Sequence, residues 1–504
     1  MSTETTTAPR PTPPADTVTY THRQILVIMS GLALGLLLSA LDQTIVSTAL
    51  TRISQDFHRP DLYSWVVTSY LLTSTATTPL YGKMSDLYGR KRIFQFAIVV
   101  FLAGSALSGA SQSMYQLIAF RAVQGLGAGG LISLAMAIIG DVIPPRDRGK
   151  YQGYFGAVFA AASILGPLLG GFLVEGPGWR WVFYVNLPLG AIALVVINRV
   201  LKMDRIRRTA SIDWSGATLL VTGVSLVLVA VSQIGNAGHI TQLSSILLAI
   251  GLALTLAFFA WETRATEPIL PLRLFQNPVF RVTTALSLIT GAVMFGAILF
   301  LPQYMQTVRG VSPTESGLHL LPLLGGLLLT SVITGRIISG GSGYKKFVVG
   351  GTAVLVLGTT LLAQIHVDTS YWVVALILLV VGIGLGSFMQ TTVLATQNSV
   401  DRSDMGVATS AVAFFRTLGG AIGASVLGAV LIAQSKATQA GEVAKLGKTR
   451  GLQHAFVNGM DRAYLWAIPF AVIAFVIALF LREVTLRTTN APDTTTEPAI
   501  EGAA

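Results

Sequence analysis

The sequence predicts an all-α protein that crosses a membrane many times. Hydrophobic residues make up 52% of the 504 residues and charged residues only 11%, whereas soluble domains carry about 25% charged residues. Apolar runs recur along the whole chain and are separated by short polar segments, as in polytopic membrane proteins. Cysteine is absent, which excludes disulfides, thiolate metal sites and cysteine nucleophiles.

The apolar runs predict fourteen transmembrane helices. A helix needs about twenty apolar residues to cross the hydrocarbon core. Residues 1–24 are rich in Thr and Pro and lack a signal-peptide cleavage pattern, so we expect them, like residues 482–504, to be a disordered tail. The predicted spans are 25–50, 62–81, 93–111, 115–140, 151–174, 181–200, 215–234, 242–261, 280–306, 315–338, 346–366, 371–398, 406–433 and 463–481.

The distribution of basic residues predicts the orientation of these spans. An even number of spans places both termini on one side. If that side is the cytoplasm, most of the 34 Lys and Arg residues fall in cytoplasmic segments, as the positive-inside rule requires. The net charge of +11 therefore indicates topology and not a nucleic-acid partner. We expect a multi-pass protein of the cytoplasmic (inner) membrane with both tails in the cytoplasm.

Glycine patterns repeat between the two ends of the chain. The sequence GLGAG at 125–129 returns as GIGLG at 382–386, and the same offset maps Gly149 onto Gly406. This repeat predicts two six-helix halves, 25–200 and 279–481. Spans 7 and 8 would then be inserted within a linker, 201–278. Transporters are commonly built from such repeats, with the substrate site where the halves meet.

The first half contains features that the second half lacks. Asp42 lies in the middle of span 1 and Arg121 lies inside span 4, whereas the position equivalent to Arg121 is Leu378. An acid or base at the centre of a span costs roughly 2.5–3.5 kcal/mol on insertion scales. Charges in such positions indicate a functional site by default.

The segment after span 2 combines glycines with one acid and three bases. Glycine permits a tight turn, an acid can accept from N–H groups at a helix N-terminus, and the bases can pair with acids on a facing helix. Such a cluster can hold one conformation and release it in another. Its members are Gly82, Asp86, Gly89, Arg90, Lys91 and Arg92.

Span 5 contains a motif of small residues around a proline. Proline removes a helix hydrogen bond and kinks the helix, and small residues four apart let another backbone approach closely. The motif predicts a bendable helix at the interface of the two halves. Its residues are Gly166, Pro167, Gly170 and Gly171.

These motifs resemble those of the major facilitator superfamily. The segment after span 2 resembles its signature loop, LIAFRAVQGLGAGG its span-4 motif, and ILGPLLGGFL the motif that marks its antiporters. WRWVFYVNLPLG, LDQTIVSTAL, DWSG, EPILPLRLF and FFRTLGGAIG resemble the 14-span drug/proton antiporter branch. The resemblance implies the major facilitator fold and proton-driven efflux of drugs or other amphipathic molecules by alternating access.

Asp42 and Arg121 are the predicted proton-coupling residues. Desolvation favours the protonated form of a carboxylate, whereas water or a nearby cation favours the ionised form. A carboxylate that alternates between these environments loads and unloads one proton per cycle. The resemblance implies that Asp42 and Arg121 are in contact. The proton would be the coupling ion, and no other cofactor and no metal are expected.

Six further side chains are candidates for a substrate pocket, because apolar pockets with a few polar contacts are typical of small-molecule sites. Packing or lipid-facing roles fit most of them equally well. We expect an amphipathic or cationic small-molecule substrate and a transporter that acts as a monomer. The candidates are Trp65, Tyr70, Gln124, Gln306, Phe415 and Arg416.

A membrane enzyme is the alternative from another class. The six histidines are scattered and form no HExxH motif, and GEVAKLGKT at 441–449 has five residues between its glycines where a phosphate-binding loop has four. These patterns favour a transporter. A dedicated exporter of one lipid, siderophore or self-made antibiotic stays open, as does a substrate/proton symporter.

Overall fold

Every regular element in the described part of the chain is a helix. The computed structural model describes residues 21–59, 62–201, 213–237 and 239–486, and it contains no strand within them. The predicted disordered tails fall mostly on residues outside this part. His22 already belongs to the first helix, so that helix begins slightly before the predicted span.

Sixteen α-helices are defined among the described residues. They are α1 His22–Asp56, α2 Tyr63–Tyr88, α3 Arg90–Gly109, α4 Met114–Val142, α5 Pro145–Glu175, α6 Trp181–Tyr184, α7 Asn186–Val200, α8 Trp214–Ala237, α9 Gln242–Glu262, α10 Pro278–Thr307, α11 Pro313–Leu318, α12 Leu321–Ser339, α13 Lys345–Leu362, α14 Tyr371–Ser399, α15 Met405–Leu446 and α16 Lys448–Leu479.

Twelve candidate membrane spans are present in the described part of the chain, with α6 and α7 counted as one span and α11 and α12 counted as another. This confirms an all-α, multi-pass membrane protein. Neither α2 nor α5 is among the twelve, and α2 is rich in Ser and Thr. The predicted count of fourteen is therefore reached only if these two helices also cross the membrane.

The burial of each helix follows from its composition. In α4, 78% of the most apolar window is buried inside the protein, whereas in α9 only 17% is buried. A helix that is apolar on all sides needs either protein or lipid around it. The glycines of α4 allow close neighbours: a Cβ on Gly127 would lie 2.4 Å from the backbone nitrogen of Phe101 on α3. Thus α4 is a central helix and α9 faces lipid.

The helices pack in two similar groups. In one group α1 packs against α5 and α7, and α4 packs against α2 and α3. In the other, α10 packs against α15 and α16, and α14 packs against α12 and α13. Contacts between the groups run through α5 with α12 and α2 with α15, while α8 lies against α2 and α15.

We call the end of the bundle where the described chain starts and stops the terminal face, and the other end the opposite face. At the terminal face the ring of His22 lies 2.6 Å from the hydroxyl of Tyr151 on α5. There too the hydroxyl of Tyr344 donates to the carbonyl of Arg482.

The turn after α2 is shorter than the sequence suggests. α2 continues to Tyr88 and α3 begins at Arg90, so one residue joins them. That residue, Gly89, has φ +94°, a conformation that side chains other than glycine rarely adopt. The signature loop therefore consists mainly of two helix ends.

The long polar loop expected between spans 13 and 14 is instead a helical hairpin. α15 continues to Leu446, Gly447 turns the chain with φ +77°, and α16 begins at Lys448. The segment is rich in Ala, Lys, Gln and Leu, which favour helix without being apolar enough for a span. With 42 residues, α15 is about 63 Å long, roughly twice the hydrocarbon thickness.

Candidate functional site

The centre of the candidate site is an ion pair in the middle of the first helix group. Asp42 of α1 is 0% exposed and Arg121 of α4 is 1% exposed. The Arg121 Nη1 atom lies 2.6 Å from Asp42 Oδ2. The contact that the family resemblance implies is therefore present.

Two amides complete the surroundings of this carboxylate. Gln124 Nε2 donates to Asp42 Oδ1 at 2.9 Å, and Asn186 Nδ2 donates to the same oxygen at 3.0 Å. Arg121 Nη1 also donates to Gln124 Oε1 at 2.7 Å. We call Asp42, Arg121, Gln124 and Asn186 the Asp42 cage. With three donors around it, the ionised carboxylate is well satisfied in the protein interior.

Local structure places each donor. Arg121 and Gln124 are three residues apart on α4 and therefore share one face. Asn186 is the first residue of α7, directly after the break that separates it from α6. Ser105 of α3 accepts from Asn186 Nδ2 at 3.0 Å and donates to the Phe183 carbonyl at 2.8 Å. Two helices, α4 and α7, thus supply the donors to Asp42, and α3 orients one of them.

Helix α2 covers the cage. The Arg121 guanidinium carbon lies 4.2 Å from the centre of the Tyr70 ring, within the range of a cation–π contact. The Tyr70 hydroxyl lies 3.1 Å from Ser39 Oγ. The Val66 carbonyl accepts from Arg121 Nε at 3.4 Å. The charged pair is therefore shielded from water, and removing either partner would leave the other charge buried.

Two predicted pocket residues belong to this cage and its cover instead. Tyr70 and Gln124 are both 0% exposed. Tyr70 is occupied by its stacking on Arg121, and Gln124 by its hydrogen bond to Asp42. Neither is accessible to a substrate in this conformation. The sequence could not show this, because both residue types also suit a pocket wall.

The other predicted pocket residues are dispersed. Trp65 is half-buried in the first turn of α2, and Gln306 is exposed near the end of α10, where it donates to Ser316. Phe415 packs edge-on against Phe275 at 6.4 Å. Arg416 is half-buried on α15. The structure does not bring these four together.

Asn186 and Ser105 are the residues that sequence reasoning missed. A signal for Asn186 was available, since it is a lone amide in the otherwise apolar stretch FYVNLPLG. A polar group in such a stretch requires a buried partner. Its Oδ1 atom is buried and has no hydrogen-bond partner in the described part of the chain.

A second cluster joins the two helix groups at the terminal face. Arg90 lies 2.5 Å from Asp86 and donates through Nε to Asp141 of α4 at 2.8 Å. Asp86 Oδ2 accepts from the backbone N–H of Val407, in the first turn of α15, at 3.0 Å. We call Asp86, Arg90, Asp141 and Val407 the terminal latch. It combines an ion pair with the helix N-terminus contact that the motif predicts.

The terminal latch is closely packed and desolvated. Burial raises the pKa of Asp86 to about 6, although Arg90 and the Val407 N–H act in the opposite direction. A Cβ on Gly406 would lie 2.0 Å from Arg90 Nη1, and one on Gly82 would lie 2.5 Å from Ser410 Oγ. α2 and α15 therefore meet without intervening space.

The remaining bases of the motif lie outside the latch. Lys91 Nζ donates to the Asn198 carbonyl at 2.7 Å, and Arg92 is exposed. Lys83 pairs with Glu267, in the segment before α10, at 2.6 Å. Only Asp86 and Arg90 of the charged motif residues thus take part in the junction with α15.

A third arginine ties the groups together nearby. Arg148 of α5 is 0% exposed and donates through Nη1 to Gln397 of α14 at 2.9 Å. It also donates to the carbonyls of Gly140 and Ile143 at the end of α4. Nothing in the sequence distinguishes Arg148 from other arginines, because arginines are expected in a cytoplasmic loop.

The small residues of α5 face α1, next to the Asp42 cage. A Cβ on Gly166 would lie 2.0 Å from Thr44 Oγ1, and one on Gly170 would lie 2.0 Å from Thr48 Oγ1. Gly171 has no heavy atom within 4 Å of such a position. Pro167 lies within α5. The contact of α5 with the other helix group is made mainly with α12.

No group of three or more His, Asp or Glu side chains in the described part of the chain is placed to hold a metal ion. The described residues offer a shielded carboxylate that can bind a proton and a polar closure between two helix groups.

Comparison with known proteins agrees with this architecture. The sequence profile of the Major Facilitator Superfamily matches residues 32–424. The chain is 38% identical over 411 residues to the multidrug transporter protein MdtP of Bacillus subtilis (strain 168), covering 81% of this chain and 76% of that protein. It is 37% identical over 416 residues to multidrug resistance protein 3 of the same organism, covering 82% and 81%.

A solved structure supports the fold. The proton:xylose symporter XylE superimposes with a TM-score of 0.64 at 15% identity, over 94% of this chain and 99% of that chain. Likeness at this identity concerns the fold alone. Together, the profile match, the relatives and the fold show that the chain belongs to the major facilitator superfamily and is a membrane transporter, not an enzyme.

Proposed function

We propose that the protein exports drugs or other amphipathic small molecules across the cytoplasmic membrane in exchange for protons. The observation that carries this proposal is the Asp42 cage, in which a fully buried carboxylate is held by one cation and two amides. Relatives named as multidrug transporters support the substrate class.

The cage couples protonation to helix position. Ionised Asp42 accepts from α4 and α7 through three donors. A proton on Asp42 removes the counter-charge of Arg121 and adds an O–H group that needs an acceptor. The unpartnered Asn186 Oδ1 can supply this acceptor after rotation of the amide. The two protonation states therefore favour different arrangements of α1, α4 and α7.

The proton gradient supplies enough free energy for concentrative export. A proton moving inward gains about 2.3 kcal/mol per 100 mV and about 1.4 kcal/mol per pH unit. At about 100 mV and one pH unit the total of roughly 3.7 kcal/mol supports a several-hundred-fold gradient of an uncharged substrate.

We further propose fourteen spans, with α2 and α5 crossing the membrane, arranged as halves 25–200 and 279–481 around inserted spans 7 and 8. Both termini would be cytoplasmic and the transporter would act as a monomer. The terminal latch joins the halves, so this conformation would be closed to the cytoplasm. Transport then requires the latch to open.

Asp42→Asn tests the proposal, because it keeps the side-chain shape and removes the titrating group. In proteoliposomes with an imposed pH gradient, wild type should accumulate members of a drug panel and the variant should not. In detergent, substrate addition should release protons from wild type only, while the variant still binds substrate.

Asp368→Asn, which alters an exposed carboxylate at the opposite face, is the matched control and should behave as wild type. If Asp42→Asn releases as many protons as wild type, the coupling site lies elsewhere. Transport that survives an uncoupler but stops without ATP would contradict proton-driven export.

A further inference from the structure

Arg416 is an unpaired cation at mid-depth in the second helix group. It lies eleven residues after the start of α15, about 16 Å from the terminal face. Its guanidinium has no ion pair or hydrogen bond with any described residue. Arg121, Arg90 and Arg148, by contrast, are all paired.

Arg416 lies on the side of α15 that meets α10, away from α8. Val407, Ala411 and Phe414 form the stripe of α15 that packs in one cluster with α8. At about 100° per residue, Arg416 lies roughly 180° around the helix from Val407. On this side α15 touches α10, since a Cβ on Gly291 would lie 2.1 Å from the Arg416 carbonyl.

Gln390 of α14 lies at the same depth in the second helix group as Arg416. Gln397 Nε2 donates to Thr409 Oγ1 at 3.1 Å, which fixes the register of the antiparallel helices α14 and α15. Gln390 precedes Gln397 by seven residues, and Arg416 follows Thr409 by seven residues. Both therefore lie two turns from this contact, in the same direction. Seven residues return to nearly the same helix face. The two residues therefore lie at one level on the facing sides of α14 and α15.

Gln390 is itself incompletely satisfied. Its Oε1 atom is buried without a hydrogen-bond partner in the described part of the chain. A buried acceptor without a donor is costly, as is a guanidinium within a membrane span without a counter-ion. Arg416 and Gln390 Oε1 are thus a cation and an acceptor without partners, which are complementary to a ligand with an anionic group and a neighbouring donor.

Acids of the protein do not neutralise this charge. The sequences of α10, α12, α13 and α14 contain no Asp or Glu, the only acid of α15 is Glu442 and the only acid of α16 is Asp461. Glu442 is more than seven turns from Arg416, and Asp42 is enclosed by its own donors. No described acid forms an ion pair with Arg416, so a counter-ion would come from outside the chain.

We propose that Arg416 binds the carboxylate of an amphipathic organic acid, with Gln390 accepting from a hydroxyl or N–H group of the same substrate. This inference rests on the proposed export function and specifies its substrate class. Guanidinium and carboxylate match in a two-bond geometry. A cationic substrate would meet like charge at this position.

The test uses dansyl-leucine, an amphipathic carboxylate, and its uncharged methyl ester. Binding of both probes to detergent-purified protein is measured by dansyl fluorescence. Arg416→Gln should weaken binding of the acid by about tenfold or more, as expected for a charged hydrogen bond, and leave the ester within about twofold. Gln390→Leu should also weaken the acid selectively.

Two further variants serve as references. Arg416→Lys keeps the charge and should retain part of the preference for the acid. Arg281→Gln removes an exposed arginine from α10 and should change neither probe. Equal losses for acid and ester in Arg416→Gln, or binding of a cationic dye but of neither dansyl probe by wild type, would overturn the proposal.

Transport measurements separate this proposal from the export function. Asp42→Asn should bind both probes with wild-type preference but accumulate neither. If wild type exports acid and ester equally and Arg416→Gln changes nothing, proton-driven export stands and the role of Arg416 is refuted. If export needs no proton gradient but Arg416→Gln still weakens binding of the acid and not of the ester, the role of Arg416 stands and proton-driven export is refuted.

Discussion

At the scale of single residues, Asp42 is tolerated in the membrane because its charge is fully compensated. Arg121 supplies the counter-charge, and Gln124 and Asn186 donate to the second oxygen. Hydrogen bonds to charged groups contribute about 1.5–3 kcal/mol each, which is comparable with the insertion cost of the acid. Each donor is therefore a means of adjusting the proton affinity of the site.

Asn186→Leu tests this adjustment. Leucine has a similar size but cannot donate to Asp42, so the ionised carboxylate loses one of three donors. The protonated form should then persist to higher pH. We expect the pH midpoint of substrate-induced proton release to rise by about one to two units, measured with a pH-sensitive dye on purified protein.

Ser105→Ala is the control for this shift. It removes the serine that orients Asn186 but leaves the donor to Asp42 in place, so the midpoint should move less than in Asn186→Leu. An unchanged midpoint in Asn186→Leu would show that the amide only fills space.

At the scale of helices, the junction of α1 and α5 is the element most directly linked to the cage. Thr44 lies two residues after Asp42, and its hydroxyl donates to the Ala162 carbonyl of α5 at 3.0 Å. Gly166 and Gly170 let α5 approach this face of α1. A displacement of α5 is therefore transmitted to Asp42 through one turn of helix.

Gly166→Ala and Gly171→Ala form a matched pair of substitutions on α5. The added methyl meets Thr44 at position 166 but open space at position 171. Overpacking costs typically 1–3 kcal/mol, so Gly166→Ala should lower the melting temperature and impair coupling. Gly171→Ala should match or exceed wild-type stability, since alanine favours helix.

The measurements are thermal unfolding in detergent and substrate-to-proton ratios in proteoliposomes. Because both variants gain the same helix propensity, their difference isolates the contact with α1. Equal behaviour of the two variants would mean that α5 can shift without disturbing the cage.

At the scale of the whole molecule, the terminal face holds the two helix groups together by polar contacts. The terminal latch joins α2 to α15, Arg148 joins α5 to α14, and Arg273 pairs with Asp404 at the start of α15 at 2.8 Å. Polar contacts of this kind can separate into water at little net cost, unlike an apolar interface. The closure is therefore suited to repeated opening.

The pKa of Asp86 predicts that acid favours the closed terminal face. In the closed state the pKa is about 6, above the ordinary value of 3.8, which an exposed Asp86 would have in an open state. At pH values between 3.8 and about 6, Asp86 therefore binds a proton more strongly in the closed state than in the open state. Its population should rise as the pH falls through about 6 and decline again at higher pH.

Distances between spin labels at introduced cysteines can measure this population, because the chain has no native cysteine. Arg23→Cys on α1 and Lys346→Cys on α13 place one exposed label in each helix group. The experiment uses an Asp42→Asn background to remove the carboxylate of the Asp42 cage. Asp86→Asn should abolish the pH response, and a response that persists would assign it to another group.

The sequence by itself determined the all-helical membrane architecture, because apolar runs of span length report directly on the thickness of the bilayer. It also identified Asp42, Arg121 and Asp86, because a charge inside a span or a spaced loop motif stands out from its surroundings. Each of these signals is local along the chain.

Only the tertiary structure decided which side chains share a site. Asn186 and Ser105 come from different helices; packing makes Asn186 a partner of Asp42 and Ser105 a partner of Asn186. For the same reason Gln124 belongs to the Asp42 cage and Tyr70 covers it, whereas the sequence predicts both as pocket residues. The unpaired state of Arg416 is likewise a property of its neighbours. A polar residue in a span indicates that it needs a buried partner, but long-range packing determines which residue that partner is.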